Sequence, residues 1–315
     1  MQTILGSGGA IGVELAKALK EYTSNIRLVS RNPKKVNETD SLYPADLSDK
    51  SQVSKAIEGS EICYLTLGFD YKTKIWEDKW PALIKNVVEA CIKHKTKLVF
   101  FDNIYAIGGD FVKHITELSP ISPNSKKGQV RAFVDKHILE NVENGKLEAI
   151  IARSPDFFGP GKKETSLLLN LVYDNLVKGK TAQWFCNADV IHTMGFTPDL
   201  AIGTAMLGNT PDAFNQVWNL PVDMHTLTGR EWVKLFATEI NGSDKVMVLP
   251  MWGLKLLGIF IPIMREMPEM MYQFDRPYNF DCSKFINRFK FNPTSNLDAV
   301  KFTVESLGRN VGNAN

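Results

Sequence analysis

Along the first half of the chain, short apolar runs rich in β-branched and aromatic residues alternate with longer segments whose apolar positions recur every three or four residues. That alternation predicts a parallel sheet covered by helices on both faces. Strands are expected at 2–5, 26–30, 62–66, 98–102 and 149–153, with helices at 11–21, 50–57, 80–94 and 131–144 between them. The third helix is placed with Pro81 in its opening turn and Leu83, Val87, Val88 and Cys91 on its apolar stripe. Each crossover is expected to be right-handed. From about Phe157 the rhythm loosens into segments punctuated by glycine and proline, such as Phe158-Gly159-Pro160-Gly161, Thr197-Pro198-Asp199 and Leu220-Pro221. No internal repeat or low-complexity segment interrupts the pattern.

Composition narrows the class. The 315 residues suffice for one large α/β domain or for a domain with a smaller one appended, and 44% hydrophobic with 23% charged residues is an ordinary globular balance. The net charge of +2 comes from 37 basic and 35 acidic side chains with no block of like charge, which argues against a nucleic-acid partner. Cys63, Cys91, Cys186 and Cys282 lie far apart, without paired metal-ligand spacing, and read as free thiols of a reducing, cytoplasmic compartment. No metal site is expected. The N-terminus has no charged region followed by an apolar run, so no signal peptide is read there. The most apolar later stretch, 247–264, is interrupted by Pro250, Lys255 and Pro262. It reads as a packed or surface helix, and no membrane partner is expected.

The first strand runs into Gly6-Ser7-Gly8-Gly9-Ala10-Ile11-Gly12, and the apolar spacing beyond it is helical. Strand, glycine turn and helix are the parts a pyrophosphate site needs. Gly6, Gly9 and Gly12 serve the tight turn, the close approach of backbone to a diphosphate and the helix packing, with the helix N-terminus facing the anion. A Rossmann-type doubly wound parallel sheet binding NADP or NAD follows as the expected fold class, with a dinucleotide domain over 1–160. A smaller C-terminal substrate lobe, 161–315, is expected to be partly interwoven with the sheet.

The second strand ends in Ser30-Arg31-Asn32-Pro33, where an NAD-preferring site carries an acid for the ribose hydroxyls. Arg31 offers bidentate donors and fixed charge to a 2′-phosphate, which points to NADP. The plainer reading is a surface arginine in the loop.

With the glycine turn, the runs Ala45-Asp46-Leu47-Ser48-Asp49, Leu65-Thr66-Leu67-Gly68, Leu98 to Gly108, Arg153 to Gly161 and Phe280 to Phe285 appear in an order that resembles the NAD(P)-dependent epimerase/dehydratase family, the extended and atypical branches of the short-chain dehydrogenase/reductase superfamily. The resemblance covers nearly the whole chain. It implies that Asp46 and Leu47 meet the adenine and that Leu67 and Gly68 lie along the middle of the cofactor. Asp46 also reads as a helix cap ahead of Lys50.

At the chemistry the sequence departs from the family, whose enzymes use a Tyr-x-x-x-Lys pair and a nearby Ser or Thr. Lys127-Gly128-Gln129-Val130-Arg131 stands in the place of that pair and Asn103 in the place of the hydroxyl residue. A phenol with an ordinary pKa near ~10 needs positive charge nearby to act as a base at neutral pH. Lys127 donates a proton only if its surroundings favour the neutral amine. Arg131 cannot act as a base, but it is able to hold the nicotinamide ribose or a substrate anion. Tyr105 is the phenol nearest the crevice. Tyr105 and Lys127 therefore serve either as acid/base groups or as packing and ribose contacts. Asp156, Phe158 and His192 fall on the family's substrate side, with His192 also readable as structural. Trp76, Trp80, Trp252, Met264 and the methionines of 267–271 read as core or subunit contact.

Two functions remain open. One is an oxidoreductase or epimerase-like enzyme acting on a small carbonyl or hydroxyl compound or a nucleotide sugar. The other is a non-catalytic NADP(H)-binding sensor or regulatory protein that kept the nucleotide pocket. The superfamily's habit of pairing two helices across an interface also implies a homodimer through 80–94 and 131–144.

Overall fold

The computed structural model of the chain describes residues 1–312, with side chains through residue 308. Two compact units form. The first comprises Met1–Ala106, Lys126–Ser154 and Leu200–Leu220, and the second Ile107–Ser125, Pro155–Asp199 and the described residues from Pro221 onward. The units interleave along the chain instead of meeting at residue 160, and the second is not the smaller.

In the first unit the order is β1 (Gln2–Leu5), α1 (Ala10–Ala18), β2 (Ile26–Ser30), β3 (Ser41–Pro44), α2 (Lys50–Ile57), β4 (Ile62–Leu65), α3 (Thr73–His94), β5 (Lys97–Asn103), α4 (Lys126–Glu143) and β6 (Ala149–Ser154). A seventh strand, Gln216–Asn219, pairs outside β6. The seven run Gln216–Asn219, β6, β5, β4, β1, β2, β3, every pairing parallel. This is the expected Rossmann-type doubly wound sheet. β1, β4 and β6 are buried along their whole length, as strands covered on both faces must be.

Four details differ from the sequence pattern. β3 and the strand Gln216–Asn219 were not expected. β3 is an exposed edge strand ending in Pro44, so it carries no apolar alternation. α3 starts at Thr73, which puts Pro81 inside the helix and not in its opening turn. An interior proline costs about 3 kcal/mol. Burial of Trp76 and Trp80 on the same stripe offsets it, at roughly 1.5–3 kcal/mol for each large apolar side chain. α4 begins five residues early because Lys127, read as polar, is wholly buried.

Besides Lys127, four charged side chains of α4, β5 and β6 lie in this interior. Arg131 Nε stands 3.1 Å from Asp102 Oδ1, and Arg153 Nη2 donates to Asp135 Oδ2 at 3.0 Å. Asp102 and Arg153 are register partners on β5 and β6, while Arg131 and Asp135 are one turn apart on α4. Helix and sheet are thus pinned crosswise. Burial, with the neighbouring Asp135 charge, pushes the Asp102 carboxyl well above the usual carboxylate range, while Arg131 and Arg153 pull it down.

The second unit carries two short parallel pairs, Phe157–Phe158 with Gly195–Phe196 and Ala182–Phe185 with Val246–Leu249. Helix Gly229–Ile240 opens with a capping box between Thr228 and Glu231. Its first residue needs to be glycine, because a Cβ there would lie 2.4 Å from the Trp184 ring. The four cysteines are free thiols. Among the described residues no helix is long and apolar enough to cross a membrane.

Arg131→Met leaves Asp102 without its nearest counter-charge in the interior. Denaturant unfolding should show a loss of about 3–5 kcal/mol, most of it recovered when Asp102→Leu is added. An unchanged midpoint in the single variant would mean that the four charges do not fasten α4.

Candidate functional site

The end of β1 fixes the glycine turn. Gly6 N and Ser7 N both donate to Val29 O, at 3.0 and 3.2 Å. Gly6 has φ +93°, and a Cβ on it would sit 2.7 Å from the Leu67 backbone, so that position excludes every other residue. A Cβ on Gly12 would meet Gly6 O at 2.6 Å, which is how closely α1 packs on the turn. Gly9 caps α1 without a side-chain acceptor, and no acid stands in the first turn, so the positive end of the helix is uncompensated by the chain itself. Ala10 and Ile11 form its apolar start.

Two observations test whether this turn fits a dinucleotide. Ser7 is 3% exposed, yet its hydroxyl has no hydrogen-bond partner in the protein. Buried hydroxyls are seldom left so. A Cβ added at Gly8 would touch nothing within 4 Å, so the backbone there faces open space. A donor-rich turn with an orphaned hydroxyl and room above it suits a diphosphate.

Arg31 follows β2, and Asp46 follows β3, both exposed. Asp46 Oδ1 accepts from Ser48 N at 2.9 Å; that bond, with the Arg31 charge adding to it, holds the Asp46 carboxyl below its ordinary range. The cap of α2 is Asp49, whose side chain accepts from Gln52 N, and not Asp46. Leu47 is buried beside Asp46. Leu67 and Gly68 follow β4, Leu67 against Gly6 and Gly68 exposed.

The residues expected at the chemistry divide into two groups. Asn103 Oδ1 accepts from Tyr105 N at 3.0 Å, closing the turn that follows β5. Tyr105 stacks on Trp76 at 5.9 Å, and its hydroxyl accepts from Tyr71 OH at 3.5 Å. Lys127 Nζ donates to Thr73 Oγ1 at 2.8 Å and lies 4.6 Å from the centre of the Tyr71 ring. Tyr105 and Lys127 are thereby joined through Tyr71. Arg131 belongs elsewhere: it is buried against Asp102, 4.3 Å over the Trp80 ring and 5.0 Å over that of Phe100.

In the second unit Asp156 Oδ2 and His192 Nε2 lie 3.0 Å apart. The imidazole is clamped between the rings of Phe274 and Tyr278, each 4.4 Å away. Phe158 packs in the aromatic core against Trp232 and Phe236. Trp252, read as core or contact, is 71% exposed.

The sequence profile of the NAD dependent epimerase/dehydratase family matches residues 3–220, more than half of the chain. The chain belongs to that family. Solved structures similar to it include the UDP-glucose 4-epimerase of Thermus thermophilus in complex with NAD, at 15% identity and a TM-score of 0.79, covering 98% of this chain and 99% of that one. A dTDP-glucose 4,6-dehydratase double mutant of Streptomyces venezuelae, with NAD bound, has 15% identity and a TM-score of 0.80, covering 99% and 98%. The UDP-glucose 4-epimerase of Thermotoga maritima, with UDP-glucose, gives 15%, 0.79, 99% and 100%. At such identity the likeness is one of fold. A comparison with curated protein sequences finds no match.

Within this epimerase/dehydratase chain, reading by motif missed Gly8, Tyr71 and Thr73. Gly8 lies between the motif glycines, and only its open surroundings mark it. Tyr71 and Thr73 sit just before and at the start of α3, which the sequence placed seven residues later. Trp76 was seen only as packing. A helix drawn from Thr73 would have put Thr73 and Trp76 on its first turn, with Tyr71 just ahead of it.

Gly8→Ala should fold with an unchanged melting temperature yet weaken NADPH and NADH binding about tenfold or more, through loss of close approach. Gly12→Ala should lower both stability and binding, since backbone must shift. Thermal melting beside nicotinamide fluorescence titration separates the two, and full binding by Gly8→Ala would place the dinucleotide elsewhere.

Proposed function

We propose that the chain is an NAD(P)-binding oxidoreductase of epimerase/dehydratase type. It acts on a small carbonyl or hydroxyl compound or a nucleotide sugar, with Tyr105 and Lys127 standing in for the usual Tyr-x-x-x-Lys pair. The observation that carries the cofactor half is the buried, partnerless Ser7 hydroxyl beside the open Gly8 backbone at the uncapped start of α1. Amides of the turn between Gly6 and Gly12, with Ser7, hold the diphosphate. Asp46 and Leu47 face the adenine end, and Leu67 and Gly68 line the middle. Arg31 takes a 2′-phosphate, so NADP is preferred over NAD. When bound, the nicotinamide supplies or accepts hydride.

The chain's own part in the chemistry is the proton. Tyr105, whose hydroxyl lies 3.5 Å from that of Tyr71, is the phenol that gives a hydrogen to a substrate oxygen. Lys127 holds positive charge beneath the Tyr71 ring and steadies negative charge left on the phenols after transfer. Asn103 fixes the turn that presents Tyr105. A second reading, a non-catalytic NADP(H)-binding sensor, is favoured by the placement of Arg131, whose guanidinium is turned into the interior.

Titration with NADPH and NADH, followed by a panel of aldehydes, ketones and nucleotide sugars, tests both readings. NADPH should bind more tightly, and Arg31→Ala should weaken it roughly tenfold or more with little effect on NADH. Equal losses would remove Arg31 from cofactor choice. Tyr105→Phe and Lys127→Met should each lower kcat by about 10²–10⁴ with binding retained. Tight binding without turnover of any compound would favour the sensor, and no binding of either nucleotide would overturn the assignment.

A further inference from the structure

In the second unit, residues 245–265 form an apolar hairpin whose shape and charge match a lipid surface. Helices Met251–Leu257 and Pro262–Glu266 flank a tip at Gly258 to Ile261. Phe260 is 79% exposed and Trp252 71%, with Leu256, Ile259, Ile261 and Ile263 exposed beside them. Soluble proteins seldom leave so many large apolar side chains contiguous and uncovered.

The amides of the tip are all satisfied from within. Gly258 N donates to Leu254 O, Ile259 N to Leu256 O, and Phe260 N and Ile261 N both to Leu257 O, at 2.8–3.1 Å. Pro262 has no N–H to satisfy. Arg265 folds back to donate from Nε to Gly258 O and from Nη2 to Ile259 O, the latter at 2.8 Å. Met264 N donates to Ile261 O. A segment entering hydrocarbon must have its peptide groups paired in this way, whereas a surface loop facing water needs no such closure.

Charge points in the same direction. From Asp244 through Glu266 there are three cations, Lys245, Lys255 and Arg265, and two acids, Asp244 and Glu266, both at the ends of the segment away from the tip. Lys255 and Arg265 border a shallow hollow of about 430 Å³ that Gly258 and Ile259 also line. Cations flanking an apolar tip with an exposed tryptophan form the pattern of an interfacial element.

We propose that this hairpin docks the protein on an anionic phospholipid surface, the side chains of Phe260 and Trp252 among the acyl chains and Lys255 at the headgroups. No spanning helix is involved, so the contact is one of lying on the membrane. It departs from the absence of a membrane partner expected of the sequence and is independent of the assigned chemistry.

Trp252 is a built-in probe, because the other five tryptophans are buried. The full chain is mixed with vesicles of phosphatidylcholine alone or with phosphatidylserine added, and sedimentation and tryptophan emission are followed. Binding should require phosphatidylserine and weaken with salt. Trp252 emission should shift to the blue and be quenched by lipids brominated on the acyl chain. Phe260→Glu and Trp252→Glu, both at exposed positions, should keep the circular dichroism of the parent and lose about tenfold or more in binding. The proposal is overturned if the parent ignores both vesicles, if Phe260→Glu binds as well as the parent, or if vesicle binding leaves Trp252 emission unmoved. Self-association that Phe260→Glu abolishes, without vesicle binding, would assign the face to a second copy instead.

Discussion

Two ion pairs laid crosswise in the interior of the first unit set the direction of everything α4 presents. Asp102 and Arg153 come from neighbouring positions on β5 and β6, and Arg131 and Asp135 answer them from successive turns of the helix. Removing four charges from water costs several kcal/mol for each ion, and their attraction repays it only in good geometry, so such an arrangement adds little net stability. What it adds is a fixed rotation of α4. Any turn of the helix about its axis would strand opposite charges in an apolar layer. Lys127 precedes Arg131 by four residues on the same stripe, so its aim at Thr73 and the Tyr71 ring is fixed by the same constraint.

This arrangement also sets two cations of α4 in different surroundings. Lys127 is drawn into an aromatic pocket beside two phenols, while Arg131, which cannot give up its proton, becomes a structural counter-charge to Asp102. Tyr105 and Tyr71 stand off the helix, on the loops after β5 and β4.

The glycine turn was legible because its demands are local: a positive φ at Gly6 and contacts under 3 Å at Gly12 allow no side chain, and sequence records them directly. Strands buried on both faces were equally plain from their apolar runs. The first edge strand was not, because Ser41–Pro44 faces water and needs no alternation. Lys127 and Arg131 look like surface charges in any periodicity, so the early start of α4 and the inward turn of Arg131 depended on partners far away in the chain. Pro81 misled in the same manner: a local rule for helix starts gave way to two tryptophans buried upstream. At 247–264, the sequence read as one packed or surface helix; the segment is a strand end and two short helices around a turn, the helices opened by Pro250 and Pro262.

The sheet's outermost strand, Gln216–Asn219, pairs with β6 some sixty residues before it. During synthesis β6 therefore emerges with one edge unpaired and stays so until residue 219 has cleared the ribosome. Its sequence, Ala-Ile-Ile-Ala-Arg-Ser, is largely apolar. Fragments ended near the midpoint of the chain would carry that open edge permanently. They would be expected to gather into aggregates instead of behaving as a free nucleotide-binding half. Neither unit, in consequence, is a separable gene segment, and the order of the chain obliges both to mature together.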